Sequence, residues 1–385
     1  MKKYLAFILV LFIGFTIPMR SQGFDLGHVQ RTFVDSSRAN RNVTCEIYYP
    51  SDIAGDNVSV ANGAYPIVVI GHGFVMSPAV YDIYWEALVP EGYIVVVPTT
   101  EGSLFPSHDN FGKDMAFLVT QLQSEAEVNG SLFWNAVAST SAVMGHSMGG
   151  GAAFLAMNEN PSITALVAMA PAETNPSAIS AASTINRPAL IFSGINDCVA
   201  PPAEHQIPMY EALSSSCKTY LGIVGGDHCQ FASPNFNCTF GQSTCSPQGT
   251  ISATEQQADV LSNLIPWLDY YLKNDCVRGE TFQSNIVGNL AFEVQQNCVL
   301  GCGAGILNES ENEFAIYPNP VSDDLHWRGE NKYWNQPYTV SDLQGRVVFK
   351  GKISNPSTLF NVSEWPNGMY LLRVGQDLIV PFSKD

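Results

Sequence analysis

The sequence is poor in positive charge. Only 18 of its 385 residues are lysine or arginine, against 35 aspartates and glutamates, and the net charge is −17. A surface with this balance repels nucleic acid and anionic membranes. Charged residues make up only 14% of the chain, whereas 46% of the residues are hydrophobic, which is ample for a buried core. The composition therefore favours a soluble secreted protein with a neutral substrate, and the length predicts about two to three domains.

Long apolar segments are lacking too. The run Leu5 to Phe15 is shorter than the roughly 20 residues that a membrane span requires, and no later stretch is long and apolar enough. Lys2 and Lys3 precede this run, which is typical of a secretory signal peptide. We predict a signal peptide over residues 1–22, with a membrane anchor as the alternative for that segment.

Between residues 23 and 298, strand and helix patterns alternate. Continuous apolar runs such as Ile67–Ile70 and Tyr93–Val97 predict strands that are buried on both faces. Helical spacing of apolar residues predicts a closing helix near Ala253–Lys273. Repeated β–α units predict an α/β domain whose largely parallel sheet is covered by helices on both faces.

The pattern changes near the C-terminus. Residues 299–313 are rich in glycine, asparagine and glutamate and predict a linker. Residues 314–385 contain short strand patterns separated by turn signals, which predicts a small all-β sandwich domain.

One motif in the α/β region indicates chemistry. Residues 145–149 read G-x-S-x-G around Ser147, with a short apolar run before them and an Ala-rich helical pattern after them. In this strand–turn–helix context the serine is held exposed above a sheet as a nucleophile. An ordinary glycine-rich turn is the alternative. The motif lacks the Lys-Ser/Thr tail of a phosphate-binding loop, which excludes that interpretation.

A nucleophilic serine needs a base and an acid, and on this fold they follow it in the order acid, then histidine. Asp197 follows the predicted strand Ala189–Gly194, and His228 follows the next one, Tyr220–Val224. We predict Asp197 as the acid, with helix capping as its alternative role, and His228 as the base. Asp227 is the second candidate for the acid, and none of the other histidines fits the chain order: His72, His108, His146 and His205 are expected to be structural.

An oxyanion hole requires two backbone N–H groups aimed at the developing charge. We expect them from Met148, directly after the nucleophile, and from Phe74, in the loop after Ile67–Ile70. The Phe74 ring would either line the acyl pocket or pack in the core. Trp85, Phe105 and Phe111 are further candidates for lining the cleft.

These segments resemble the signatures of secreted α/β-hydrolases. The similar stretches are Gly71–Phe74, Gly145–Gly150, Asn196–Pro201 and Gly225–His228. The resemblance is to dienelactone-hydrolase-like esterases, including bacterial cutinases and polyester hydrolases. It implies an eight-stranded core, a Ser-Asp-His triad, and hydrolysis of carboxylic esters without a cofactor or metal. Chlorophyllase and platelet-activating-factor acetylhydrolase share much of the pattern.

The resemblance has two departures and one further implication. Polyester hydrolases usually carry a tryptophan where this chain reads Ala170–Glu173, and a tyrosine where it has Phe74. The two aromatic residues with which polyester hydrolases usually clamp an aromatic polyester are thus replaced in this chain. The family often has a disulfide near the end of the hydrolase domain, which Cys276 and Cys298 could match.

The C-terminal region resembles a second family. Its stretches Tyr317–Pro320, Asp342–Arg346 and Asn367–Tyr370 are similar to the sorting domain of the type IX secretion system of Bacteroidetes. This resemblance implies contact with the secretion machinery, passage through the periplasm and the outer membrane, and removal of the domain. A carbohydrate-binding or adhesion sandwich is the alternative.

Nine cysteines in an exported chain indicate disulfides, and the odd number leaves at least one without a partner in the chain. Cys198 and Cys229 directly follow the proposed acid and base. Because those two residues must come within hydrogen-bond reach, we predict a Cys198–Cys229 bridge. Cys217 and Cys238 are the alternative partners of Cys229.

The function that these features predict is that of a secreted serine carboxylesterase, lipase-like or cutinase-like, whose substrates are neutral esters and could include polyesters such as PET. Two alternatives use the same residues differently. An acyltransferase would replace water by an alcohol, and a non-enzymatic binding protein would carry a vestigial site. The predicted partners are the ester and the secretion machinery, without nucleic acid and without a stable membrane anchor.

Overall fold

The computed structural model describes residues 23–302, 314–317, 319–329, 333, 335–342, 344–353, 359–375 and 378–384. The chain divides into two units, Met1–Gly305 and Ile306–Asp385. The predicted signal peptide and residues 303–313 of the predicted linker lie outside the described residues. Among those that are described, no helix is long and apolar enough to cross a membrane.

The first unit is built on one sheet of ten strands. In chain order these are β1 Asp25–Asp35, β2 Arg41–Ser51, β3 Gly55–Asp56, β4 Tyr65–Gly71, β5 Ile94–Pro98, β6 Val137–His146, β7 Ala165–Met169, β8 Ala189–Gly194, β9 Lys218–Ile223 and β10 Phe292–Gln296. Their order across the sheet is β10-β9-β8-β7-β6-β4-β5-β2-β1-β3. The six strands from β9 to β5 are parallel, and β2 and β10 pair antiparallel at the two sides.

This sheet contains the eight strands that were expected, from β1 to β9 without β3. The two-residue β3 extends one edge and the antiparallel β10 extends the other. The α/β-hydrolase fold predicted from the sequence is therefore confirmed, with one additional strand at each edge.

Within residues 23–302, eight helices accompany the sheet. They are α1 Asp82–Leu88, α2 His108–Glu125, α3 Met148–Glu159, α4 Ala178–Ala182, α5 Gln206–Ala212, α6 Phe236–Gln242, α7 Ala253–Lys273 and α8 Cys276–Ile286. Polar side chains begin the two longest: Ser107 accepts a hydrogen bond from the backbone of α2, and Ser252 does so for α7.

The core lies in two layers, one on each face of the sheet. Successive residues of a strand point to opposite faces, so Ile67 and Val69 of β4 join the layer that contains α2 and α3. Val68 and Ile70 join the layer that contains α1 and α7. Burial on both faces explains why β4 reads as a continuous apolar run.

The described residues of the second unit form two antiparallel sheets. Its strands are β11 Phe314–Tyr317, β12 Asp324–Gly329, β13 Pro337–Asp342, β14 Val347–Lys352, β15 Leu359–Asn361, β16 Gly368–Val374 and β17 Leu378–Lys384. One sheet has the order β11-β12-β15 and the other β14-β13-β16-β17. Leu325 and Trp327 of the first sheet share a core with Val340 and Leu372 of the second. The predicted small β-sandwich is confirmed.

The disulfides differ from the predicted pairings. The structure pairs Cys198 with Cys245 and Cys229 with Cys238. The predicted Cys198–Cys229 bridge is therefore wrong, because adjacent side chains point in different directions. Since Asp197 and His228 turn toward each other, the cysteines that follow them turn away.

The pairing of Cys276 with Cys298, implied by the resemblance, is wrong too. Strand register explains this difference. The antiparallel pair β9–β10 places Gln296 opposite Thr219, so Cys298 comes opposite Cys217 and bonds it. Cys276, at the start of α8, bonds Cys302, which lies beyond the expected domain boundary at Cys298. Cys45 is free and buried, and burial raises the pKa of its thiol to about 12.

Candidate active site

Ser147 occupies the sharp turn between β6 and α3. Its backbone has φ 55° and ψ −119°, a conformation that is strained for a residue with a side chain. The turn is possible because the chain passes very close to itself at the neighbouring glycines. A Cβ on Gly149 would collide with the carbonyl of Gly71 at the end of β4, and a Cβ on Gly145 would collide with Gly149. These glycines therefore fix the serine at the carboxyl edge of the parallel strands.

The structure brings the three predicted residues together. His228 Nε2 lies 2.9 Å from Ser147 Oγ, and His228 Nδ1 lies 2.7 Å from Asp197 Oδ2. All three residues are buried. With Nδ1–H donated to the carboxylate, Nε2 is left free to accept the serine proton. The arrangement suits activation of the Ser147 hydroxyl as a nucleophile.

Asp197 does not cap a helix, so its alternative role is wrong: α5 begins at Gln206, with His205 at the N-cap. The Oδ1 of Asp197 instead accepts hydrogen bonds from the backbone N–H groups of Val199 and Ala200, both at 2.8 Å. One carboxylate oxygen thus holds the turn after β8 while the other faces His228.

The two backbone N–H groups predicted to form the oxyanion hole have no acceptor among the described residues. Met148 begins α3, and Phe74 sits in the turn closed by a hydrogen bond of 3.1 Å from Met76 N to Gly73 O. Within residues 23–302, neither the Met148 nor the Phe74 N–H donates a hydrogen bond. The next residue, Val75, has φ 53°, which is unusual for a β-branched side chain. The turn is therefore strained, and other contacts must hold it.

Comparison with known proteins places this site in a family. A family model described as PET hydrolase-like matches residues 27–246, more than half of the chain. The chain belongs to the PET hydrolase-like family. A second family model, described as a secretion system C-terminal sorting domain, matches residues 315–381 of this family member.

Relatives with curated names are similar over the hydrolase unit. A bis(hydroxyethyl) terephthalate hydrolase of Streptomyces coelicolor is 28% identical over 194 residues, which cover 50% of this chain and 56% of the relative. Cutinase 1 of Thermobifida cellulosilytica is 28% identical over 183 residues, covering 47% and 64%. A cutinase of Thermobifida fusca is also 28% identical over 183 residues, covering 47% and 56%. The chain thus spans between 56% and 64% of the length of these relatives.

In this PET hydrolase-like chain a buried relay joins the turn Gly73–Met76, the proposed oxyanion turn, to His228, the proposed base. Gly73 N donates to the Tyr81 hydroxyl at 2.8 Å, and that hydroxyl lies 2.9 Å from His146 Nδ1. His146 Nε2 lies 2.9 Å from the backbone carbonyl of His228, so Nε2 carries the proton. The Tyr81 hydroxyl then donates to Nδ1. Burial, together with the nearby His228 ring, holds the pKa of His146 well below its usual value, and the ring stays neutral. His146 was expected to have a structural role, and it has one in this relay. The role of Tyr81 was not predicted from the sequence.

Two glutamines hold the turn that carries His228. The buried side chain of Gln256 in α7 accepts from the backbone N–H of Asp227 and donates to its carbonyl, both at 2.9 Å. Gln242 in α6 accepts from Cys229 N at 3.0 Å and donates to the Asp227 carboxylate. The carboxylate of Asp227 also accepts from Gln230 N. Asp227, the second candidate for the acid, thus points at this turn while Asp197 contacts the base.

The other three histidines that were expected to be structural hold loops. His72 is buried, and its Nε2 lies 2.9 Å from the Thr100 carbonyl. His108 Nδ1 accepts from Asn175 N, and His205 Nδ1 accepts from Glu173 N.

Two of the predicted cleft aromatics lie in the core instead. Trp85 is only 6% exposed and stacks on Tyr48 at 4.2 Å between ring centroids. Phe111 is fully buried against His72. Assigning them to the cleft was wrong, because both lie on the core-facing sides of α1 and α2. Phe74 is 50% exposed and Phe105 is 92% exposed, so these two remain accessible.

Proposed function

We propose that the chain hydrolyses carboxylic esters as a secreted serine hydrolase. The observation that carries this proposal is the continuous hydrogen-bonded series from Ser147 through His228 to Asp197. Membership of the PET hydrolase-like family and the named cutinase relatives support it. Buried, preorganised groups of this kind activate a serine hydroxyl that is otherwise a weak nucleophile.

The proposed reaction has two halves: formation of an acyl-enzyme on Ser147, and its hydrolysis. His228 Nε2 takes the proton as Ser147 Oγ bonds to the ester carbon, and the negative oxygen is stabilised by the N–H groups of Met148 and Phe74. The C–O bond to the alcohol then breaks, and His228 returns the proton to the leaving oxygen. Water enters, gives a proton to His228 and attacks the acyl carbon. The bond between that carbon and Ser147 Oγ then breaks, His228 returns the proton to Oγ, and the acid is released. Asp197 fixes the histidine tautomer and stabilises the imidazolium.

The proposed substrates are neutral esters, including polyesters. The relatives' names refer to cutin and to a terephthalate ester, which makes both substrate classes reasonable to test. An acidic chain with net charge −17 favours neutral over anionic substrates. Phe74 and the stretch Ala170–Glu173 replace the usual aromatic clamp, so binding of an aromatic polyester would have to rely on other residues.

Ser147→Ala tests this proposal directly. We expect hydrolysis of p-nitrophenyl butyrate to fall by roughly a thousandfold or more, because the triad residues act as a unit. Ser141→Ala is the matched control. Ser141 lies on the same strand, is fully buried, and its hydroxyl has no hydrogen-bond partner among the described residues. Wild-type turnover in folded Ser147→Ala would refute the assignment.

We further propose that the second unit directs export through the type IX secretion system and is removed afterwards. The match of residues 315–381 to a secretion sorting domain supports this role. The location proposed for the mature enzyme is extracellular or at the cell surface, reached through the periplasm.

A further inference from the structure

The turn that carries the proposed base lies beyond the end of its strand. β9 ends at Ile223, so the backbone groups of Asp227, just before His228, do not belong to the sheet. Asp227 is only 4% exposed, and its N–H and C=O therefore need partners inside the protein. Gln256 provides both, and within residues 23–302 these two backbone groups make no other hydrogen bond. The peptide before the base thus depends on one side chain.

Gln256 lies near the start of α7 and is fully buried. Its amide carries an acceptor and a donor that match the N–H and the C=O of one residue. The glycine before Asp227 leaves room for it, since a Cβ on Gly226 would lie 2.8 Å from Gln256 Oε1. Gln256 lies outside residues 27–246, over which the chain matches the PET hydrolase-like family. This support of the base turn therefore comes from a segment that the family match does not cover.

The backbone of Asp227 also packs on the strand that leads to the acid. A Cβ on Gly194, the last residue of β8, would lie only 2.7 Å from Asp227 N. Asp197 follows this glycine by three residues. The base turn and the strand end thus touch through their backbones, without a side chain between them. Gln256 therefore holds the peptide before the base against the segment that carries the acid.

The peptide after the base is held by a second buried side chain. His146 Nε2 donates to the carbonyl of His228 at 2.9 Å, and Gln256 Nε2 donates to the carbonyl that precedes His228 at the same distance. The two flanking peptides fix the direction of the Cα–Cβ bond, from which the ring takes its rotamer. They thereby set where the imidazole lies between Asp197 and Ser147.

We propose that Gln256 is a positioning residue of the active site: it holds the Asp227 peptide and so keeps the His228 ring in line with the acid and the nucleophile. This inference rests on the proposed ester hydrolysis. Because Gln256 is fully buried, it acts through this peptide and not on the substrate. A misplacement of about 1 Å near reacting groups can cost roughly a hundredfold in rate. Gln256 therefore affects the chemical step and leaves substrate binding unchanged.

Gln256→Met in the full chain removes both hydrogen bonds while keeping the length of the side chain, because a thioether offers no N–H donor and only a weak acceptor. With p-nitrophenyl butyrate we expect kcat to fall by roughly ten- to a hundredfold while KM stays within about twofold. The midpoint of urea unfolding should fall as well, because two buried backbone groups lose their partners.

Asn263→Leu is the matched control. Asn263 is a fully buried amide on the same helix, and a spacing of seven residues places it on the same face as Gln256. Its side chain donates to the carbonyl of Asp259 within α7 and not to the base turn. This variant should change the urea midpoint but keep kcat within about twofold.

Gln256→Glu tests the two hydrogen bonds themselves. A protonated carboxyl group offers one donor and one acceptor, as the amide does, whereas a carboxylate has no donor for the Asp227 carbonyl. Burial favours the protonated form, and so do the acidic neighbours Asp227, Glu255 and Asp259. Relative to wild type at the same pH, we expect kcat within about threefold near pH 6 and at least about tenfold lower by about pH 9. The ratio for Gln256→Met should not change with pH.

Each other outcome has a definite meaning. Wild-type kcat in folded Gln256→Met would make Gln256 a structural residue only and overturn the inference. An equal loss of kcat in Asn263→Leu would assign the effect to α7 as a whole, which also overturns it. So would a Gln256→Glu ratio that is constant with pH, and this variant decides alone if Gln256→Met does not fold. If the wild-type chain does not cleave the ester, the proposed function itself fails.

Discussion

The hydroxyl of Tyr81 is the smallest group whose removal tests the link between the oxyanion turn and the base. Tyr81 is fully buried and ends the 3₁₀ turn Pro78–Tyr81. Tyr81→Phe removes the acceptor of Gly73 N–H and the donor to His146 Nδ1 without changing the ring. Each buried group left without a partner costs about 1–3 kcal/mol. With two such groups, we expect the free energy of unfolding to fall by about 2–6 kcal/mol.

The catalytic effect follows from the position of Gly73, one residue before the proposed oxyanion donor. Loss of such a donor outright costs roughly a hundred- to a thousandfold in kcat. Loosening the turn that carries it should cost less, about ten- to a hundredfold. KM should stay within about twofold, because the relay does not contact the substrate directly.

Tyr84→Phe provides the matched comparison. Tyr84 is equally buried, and its hydroxyl donates to the Phe231 carbonyl at 2.7 Å, outside the relay. Urea unfolding and steady-state hydrolysis of p-nitrophenyl butyrate measure the two effects separately. Tyr84→Phe should lose stability but keep its kcat. If Tyr81→Phe also keeps the wild-type kcat, the relay has no positioning role and the reasoning is refuted.

Two further predictions concern pH and the second unit. Because burial holds the pKa of His146 well below 6.5, the unfolded chain binds a proton that the folded chain does not, and the free energy of unfolding falls as pH drops below 6.5. His146→Gln should make this fall shallower by up to about 1.4 kcal/mol per pH unit in urea titrations, and equal slopes would contradict the assignment. Deleting Ile306–Asp385 should leave kcat/KM within about twofold and stop export, as measured by fractionation of a secreting host. An inactive or unfolded truncated chain would show that the second unit is needed by the first.

The sequence predicted the three residues of the proposed triad because each of them closely follows a predicted strand. Ser147, Asp197 and His228 each follow an apolar run, and the carboxyl ends of parallel strands meet at one edge of a sheet. Chain order separated His228 from the other histidines considered, and Asp197 was preferred to Asp227 because the side chains of adjacent residues such as Asp227 and His228 normally diverge. Similar runs predicted the sheet, since β4, β5 and β7 are buried on both faces and read as nearly continuous apolar segments.

The directions in which side chains point could not be predicted from the sequence. Trp85 and Phe111 are close in sequence to segments that form the site. Both side chains nevertheless lie on the core-facing sides of their helices. Adjacency to Asp197 and His228 likewise suggested a disulfide between residues whose side chains diverge. Helix α6 has no buried face, so its sequence shows no apolar periodicity from which the helix could be predicted. Its position depends on two disulfides and three side-chain hydrogen bonds that only the folded chain brings together.

The central claim, that Ser147 forms an acyl-enzyme, is tested most directly by trapping the covalent intermediate. The wild-type enzyme is mixed with p-nitrophenyl acetate, quenched in acid within the first turnovers, digested and mapped by mass spectrometry. We predict one acetyl group per chain, on the peptide that contains Ser147, and none there in Ser147→Ala. Hydrolysis that proceeds at the wild-type rate with the acetyl group on another residue would contradict the account.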